Sequence, residues 1–349
     1  MNDAETMVLP RLGPAAASVE DPWGEGRAAP PGRPPVVAPA RRVVAWLAPA
    51  LMMAVLSLAH AGRPGLRVEE AVAWRAATSS WRDILHSGST ATPYHLLIRA
   101  WAEAFGASAS ALRVPSLLAM TAAAALVAAT AARMFGPGTG LLAGAIFAVL
   151  PTSARYAQEA QPYALALFAA VLATSLLRPA IERPTLRRLV GYGGSIVLLG
   201  LCHVVGLLLL AGHVWTVLAF RRKAAARWLV AAAAGLLPAA ALLWSGWGRD
   251  TRIGPVSHPS PQLLAELPGQ LFGTAAVGAV LLGLALFSLP LRYPAAIYSA
   301  WAVVPPLALL LVAQATPIWD PRYLLFTLPA WATLGAVALA RLPARRANP

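Results

Sequence analysis

Residues 112–133 read LRVPSLLAMTAAAALVAATAAR, and the fold class turns on this stretch. No charged side chain interrupts the run between Arg113 and Arg133. A helix needs roughly 17–25 predominantly apolar residues to cross the hydrocarbon core of a bilayer. Within that core every backbone N–H and C=O must be paired inside the segment, which a helix does and an open strand does not. A membrane β-barrel would alternate apolar and polar residues, and Ala122 to Ala131 do not alternate.

Outward from this block the pattern recurs. Further apolar segments lie near 43–59, 139–153, 163–178, 189–203, 204–220, 228–245, 269–289, 295–313 and 323–340. The expected fold is all-α, a polytopic transmembrane helical bundle of about ten spans. Composition agrees: 58% of residues are hydrophobic and 12% charged, whereas soluble domains carry about 25% charged residues. The chain lacks the material for a soluble surface.

The formal charge is +14, which raises the question of nucleic acid. The cations, however, sit in short clusters between apolar blocks: Arg41-Arg42, Arg187-Arg188, Arg221-Arg222-Lys223 and Arg345-Arg346. Cationic loops orient helices with the cytoplasm on their side, and no basic stripe interleaved with aromatics accompanies them. No nucleic-acid partner is expected. The lone Cys202 lies in an apolar stretch and reads as core filler.

Residues 1–40 are rich in Pro, Ala and Gly and read as a disordered cytoplasmic tail. The block from Val43 ends in Ala59-His60-Ala61, which has the form of a signal-peptide cleavage site. An uncleaved first span is favoured, because a long tail precedes it and more spans follow. Threading the chain from a cytoplasmic N-terminus puts Arg133, Arg178 to Arg188, Arg221 to Arg227, Arg292 and Arg341 to Arg346 inside. Glu69, Glu70, Asp83, Glu103, Glu159, Asp250, Glu266 and Asp320 fall outside, with Glu182 the exception. The expected organisation is therefore a membrane domain over 41–341, an outer juxtamembrane segment over about 61–111, and a short cytoplasmic tail over 342–349. Within the outer segment, Pro93 to Phe105 is too short and too charged to span, and reads as an amphipathic interfacial helix.

The expected outer face holds the polar clusters. Glu69-Glu70 are adjacent carboxylates that repel unless one is paired or perturbed. Arg155-Tyr156-Ala157-Gln158-Glu159-Ala160-Gln161-Pro162-Tyr163 stands at the entrance to a span, and Trp319-Asp320-Pro321-Arg322-Tyr323 at another. Taken alone, each reads equally as a hydrated loop or an interfacial anchor. His203 and His213 lie among Leu and Val, and His213 reads as structural. No zinc-ligand spacing, P-loop, dinucleotide fingerprint or nucleophile elbow is present.

In this order the clusters resemble the GT-C type of polytopic membrane glycosyltransferases, particularly bacterial mannosyltransferase-like proteins related to protein O-mannosyltransferases and aminoarabinose transferases. The matching elements are Glu69-Glu70 after the first span, Pro93-Tyr94 to Phe105-Gly106, Arg113-Val114-Pro115-Ser116, Arg155 to Leu165, His203, and Pro321-Arg322-Tyr323. The resemblance implies transfer of a sugar, mannose by family analogy, from a polyprenyl-phosphate donor to an acceptor hydroxyl on a glycan, lipid or protein. It implies an inverting displacement on the outer face of a bacterial plasma membrane, with both termini cytoplasmic. Glu69 would be the base, with Glu70 orienting it or binding a cation; beyond a divalent ion there, no cofactor is implied. Arg155 and Arg322 would bind phosphate. Tyr156, Gln158, Glu159, Tyr163 and Tyr323, with Tyr94, His95 and His203, would line the substrate site. Two departures stand out. Glu69 replaces the family's usual Asp, and the chain is short, without a sizeable outer C-terminal domain. A non-catalytic lipid-sugar-binding relative and a flippase-like transporter are the alternatives.

Overall fold

A computed structural model of the protein describes residues 39–61, 65–246 and 258–346. The expected tail thus lies outside the described residues as far as position 38. The chain is all-α, and no β-strand occurs among the described residues.

The first apolar block forms α1 (Pro39–Ala61). The polar segment after α1 then folds into a 3-10 turn at Val68–Glu70 and three short helices, α2 (Ala71–Thr78), α3 (Trp81–His86) and α4 (Thr92–Phe105). The Ser80 hydroxyl caps α3 by accepting the Asp83 N–H. Pro93 opens α4, where a missing N–H costs no helical bond. As the amphipathic pattern predicts, α4 buries Tyr94 and Ile98 against Ala73, Ala77 and Leu112, while Leu97 and Phe105 stay exposed.

The apolar bulk follows. The deciding stretch forms α5 (Ala109–Phe135), capped by the Ser108 hydroxyl and ended at Gly136. Then come α6 (Pro137–Val149), α7 (Pro151–Ala157), α8 (Tyr163–Glu182) and α9 (Leu186–Cys202). A 3-10 turn at Val204–Leu208 leads into α10 (Leu209–Phe220), followed by α11 (Ala225–Gly246). The chain resumes with α12 (Pro261–Phe272), α13 (Ala275–Ser288) and α14 (Ala296–Ala315). A 3-10 turn at Pro321–Thr327 precedes α15 (Leu328–Arg346), so the last helix runs past the boundary expected at 341.

Close backbone approach holds α1, α5 and α6 together. A Cβ on Gly144 would lie 2.7 Å from Pro49 and 2.8 Å from Ala128, and one on Gly140 would lie 2.5 Å from the Ala128 carbonyl oxygen. Small residues four apart let membrane helices gain dispersion contacts where no hydrophobic effect drives them together. The last apolar segment is the most enclosed, 89% buried over its apolar window, whereas that of α11 is 28% buried and lies at the periphery.

The expected count of about ten spans does not emerge from helix length. Among the described residues, five helical segments are long and apolar enough to cross a bilayer, or up to seven if each bent pair is one span. Two expected spans are broken. That over 139–153 turns by 67° between α6 and α7, where Pro151 cannot continue the hydrogen-bond ladder. That over 269–289 turns by 87° between α12 and α13 at Gly273, whose φ of +94° only glycine adopts freely. The blocks at Val43–Ala59 and Val204–Phe220 form shorter apolar helices.

Even so, the polar clusters separate into two poles. The starts of α5 and α8, the whole of α7, and residues 203 and 320–323 lie at one pole, where ring contacts join Tyr163, His203 and Tyr323. The end of α8 and residues 220–224 lie at the other, where Tyr293 reaches Glu182 and Arg221. Over its 20 residues α8 rises about 30 Å, close to the thickness of a bilayer core.

Candidate active site

Glu70 is the best-defined group at the first pole. Its side chain is fully buried, and Arg113 clamps it with two parallel bonds: Nε donates to Oε1 at 2.8 Å and Nη2 to Oε2 at 2.7 Å. The Ala160 N–H donates to Oε1 and the Arg67 N–H to Oε2, each at 3.0 Å. Burial alone would raise the carboxyl's pKa; the Arg113 bonds and the two backbone donors outweigh it and hold the pKa below its ordinary value. Each oxygen accepts two hydrogen bonds, which leaves no open position for a cation. The cation-binding part of the expectation for Glu70 therefore does not fit, and no cluster of metal-ligating side chains occurs among the described residues.

Arg113 opens the second turn of α5, and its Nη2 also donates to the Gly65 carbonyl at 2.9 Å. A guanidinium at the mouth of an apolar helix is costly unless paired, and Glu70 supplies the pair. The two residues are 43 positions apart, so the ion pair ties the segment before α2 to the bundle.

Glu159, also buried, gathers a second set. Its Oε1 accepts from Arg67 Nη1 at 2.7 Å and from Arg155 Nε at 2.8 Å, and its Oε2 from Gln161 Nε2 at 3.1 Å. Arg67 and Arg155 are half-exposed, so each holds the carboxylate with one edge and presents the other to solvent. Pro151 starts α7 and puts Arg155 on the same side as Glu159 one turn later. Gln158 donates to the Leu56 carbonyl at 3.2 Å, joining α7 to α1. These residues enclose a cleft of about 490 Å³ lined by Arg67, Arg113, Arg155, Gln158, Glu159 and the apolar Leu56. The break at Gly273 supports this wall, because a Cβ there would lie 2.6 Å from Pro151.

Glu69 differs from its neighbour. It is exposed, makes no hydrogen bond or ion pair among the described residues, and lies within electrostatic reach of Arg155.

The remaining predicted residues form a separate group. The Tyr156 and Tyr163 rings meet edge-on at 5.6 Å, Tyr163 meets His203 at 5.1 Å, and His203 meets Tyr323 at 5.2 Å. Arg155 lies 5.7 Å from the Tyr156 ring centre and so links this column to the cleft. Arg322 is held by Asp320 at 2.8 Å, and the Asp320 carboxylate also accepts the Arg322 N–H to cap the following 3-10 turn. Tyr94 is buried in the small core behind α4, its hydroxyl without a hydrogen-bond partner among the described residues; His95 is half-buried beside it. His213 lies in the bundle interior between Thr174 and Tyr192.

Sequence reading missed Arg67 and Arg113 as site residues. Arg113 enters the sequence reading only as the edge of an apolar run and within Arg113-Val114-Pro115-Ser116, and Arg67 does not enter it. The available signal was a charge rule: two buried carboxylates at the margin of an apolar bundle each require a cation.

Comparison with known proteins agrees with this architecture. Residues 92–244 match the family described as dolichyl-phosphate-mannose-protein mannosyltransferase. The fold matches the crystal structure of ArnT from Cupriavidus metallidurans in the apo state, with a TM-score of 0.65 and 18% identity over 89% of this chain and 62% of that one. The same protein bound to undecaprenyl phosphate matches with a TM-score of 0.64 at 18% identity, over 88% of this chain and 62% of that one. The chain thus spans less than two thirds of the solved structures it matches. No curated protein matches its sequence. Over residues 92–244 the chain is thus similar to that mannosyltransferase family, and it shares the helical membrane-protein fold of ArnT.

Proposed function

We propose that the protein transfers a sugar from a polyprenyl-phosphate donor to an acceptor hydroxyl, in the cleft between the outer segment and the bundle. The observation that carries this reading is a polar cleft in which three guanidiniums surround two buried carboxylates, beside one carboxylate that remains exposed. The lipid class follows from the matching ArnT structure, which holds undecaprenyl phosphate. Mannose is the sugar suggested by the family description; the acceptor is a glycan, lipid or protein hydroxyl.

The roles follow from what each group has left to offer. Phosphate is already a good leaving group, so the donor needs no proton. The solvent-facing edges of Arg67 and Arg155 are available to stabilise charge as it develops on the departing phosphate, with Arg322 a further donor. Glu69 is open to take the acceptor proton. Glu70 fixes the 67–70 turn through Arg113 and so sets the position of Glu69. Tyr156, Gln158, Tyr163, His203 and Tyr323 are placed to meet sugar or acceptor, with Tyr94 and His95 behind them. A single displacement inverts the anomeric centre. We further propose that this pole faces outward from a bacterial plasma membrane and that both termini are cytoplasmic, because the cationic loops gather at the opposite pole.

The test uses purified protein in nanodiscs with a panel of polyprenyl-phosphate sugars, reading release of polyprenyl phosphate. Wild type should release it, and Glu69→Gln should be slower by about 10²–10⁴-fold while remaining folded. Binding without release across the panel would favour the non-catalytic reading, and wild-type rates in Glu69→Gln would remove that residue from the mechanism.

A further inference from the structure

The pole opposite the cleft carries a second cavity, of about 530 Å³, between the end of α8 and the turn joining α10 to α11. Three cations line it: Arg221, Arg222 and Lys223. Its one carboxylate, Glu182, is already committed. Arg178 donates to it at 2.9 Å and the Tyr293 hydroxyl at 2.7 Å. None of the three lining cations is in an ion pair among the described residues. The Arg221 guanidinium lies 4.1 Å from the centre of the Tyr293 ring, so its plane is fixed without neutralising it. Such a cup has an unbalanced positive charge and fits a phosphate group.

An apolar groove of about 400 Å³ adjoins the cup along both of its walls. Pro184 lines the cup and Leu186, two residues on, lines the groove; Ala224 lines the cup and Arg227, a turn later, the groove. The groove runs between α9 and α11 past Val190, Val197 and Val230, with Gly193 and Gly235 letting the two helices close on each other at its floor. A soluble phosphate would use the cup and leave the groove open. A phospholipid uses both, with its phosphate on the cations and an acyl chain along the valines.

We propose that this cup and groove form a binding site for an anionic phospholipid of the leaflet opposite the cleft, its phosphodiester held by Arg221, Arg222 and Lys223. The proposal stands on the geometry of this pole and does not depend on the transferase reading.

The test is lipid retention by the full chain, measured by native mass spectrometry after purification in mixed phosphatidylglycerol and phosphatidylcholine. Phosphatidylglycerol should be retained preferentially. Removing each charge, in Arg222→Gln and Lys223→Gln, should weaken retention about 5-fold, and both together about 30-fold. Both side chains are exposed, and Lys223→Arg, which keeps the charge, should retain lipid as wild type does. Millimolar inorganic phosphate should not displace the lipid. Equal retention of the two lipids, or undiminished retention in the double variant, would overturn the proposal. Displacement by inorganic phosphate would overturn the lipid assignment in favour of a soluble phosphate ligand.

Discussion

Two ion pairs, one at each pole, have nearly the same geometry and very different surroundings. At the cleft, Arg113 and Glu70 meet at 2.7 Å with 6% and 0% of their side chains exposed. At the far pole, Arg178 and Glu182 meet at 2.9 Å with 35% and 31% exposed. Coulomb attraction at such distances depends far more on the medium than on a fraction of an ångström. In the buried pair neither charge can return to water if its partner is lost, so the pair fixes the fold around it. In the exposed pair each partner can be resolvated, so its main effect is local: it neutralises Glu182 and leaves the adjacent cations unopposed. Glu159 falls between, a buried acid whose two arginines are each about half in solvent.

This gradient predicts a ranked series. The largest effect should come from Arg113→Met, which strands a buried carboxylate and should cost about 3–5 kcal/mol, read as loss of thermal stability in detergent. A small effect there would mean that water reaches Glu70 and would erase the contrast between the poles. Next, Glu159→Gln should lower stability by about 1–3 kcal/mol, since a neutral amide still occupies the position but no longer balances two guanidiniums. The same variant should alter donor affinity, because Arg67 and Arg155 lose their anchor; a titration with donor lipid reads that change separately from unfolding.

Acidity sharpens the comparison further. The folded-state pKa of Glu70 lies below the ordinary carboxylate value of 4.5 that it regains on unfolding. Its contribution to stability is therefore complete above that value and lost as pH falls through the folded pKa. Melting temperatures of wild type and Glu70→Gln should differ most above about pH 5 and converge on acidification. A gap that stays constant with pH would assign the effect to packing instead of charge. The smallest change belongs to the exposed pair: Glu182→Gln should shift stability by less than about 1 kcal/mol.

The same contrast explains what could be read from sequence. Long apolar runs declare membrane helices because hydrocarbon imposes one solution on the backbone, and the all-α fold follows from residues such as 112–133 alone. The two poles were also legible, since cationic and acidic loops separate along the chain. Helix continuity was not. The turns at Pro151 and Gly273 interrupt blocks that look uniform in hydropathy, and each break depends on one residue's backbone preference meeting a tertiary contact. Within the candidate site, family resemblance singled out Glu69-Glu70, Arg155 to Tyr163, His203 and Tyr323, which the fold brings to one pole. Which acid is engaged and which is free could not be read, because Glu69 and Glu70 differ only in the direction each faces on a 3-10 turn.

The bond from the Ala160 N–H to Glu70 joins residues 90 positions apart. Chains emerge at about 5–20 residues per second, so Glu70 is synthesised roughly 5–20 s before its last partner. Until Arg113 emerges, 43 residues on, the carboxylate has no reason to leave water. The cleft is thus a late event in biogenesis: α2 can dock only after α5 delivers Arg113, and its acid is fully satisfied only when the chain entering α8 has arrived. A ribosome-bound intermediate halted between those two points should hold Glu70 half-satisfied and still accessible to water.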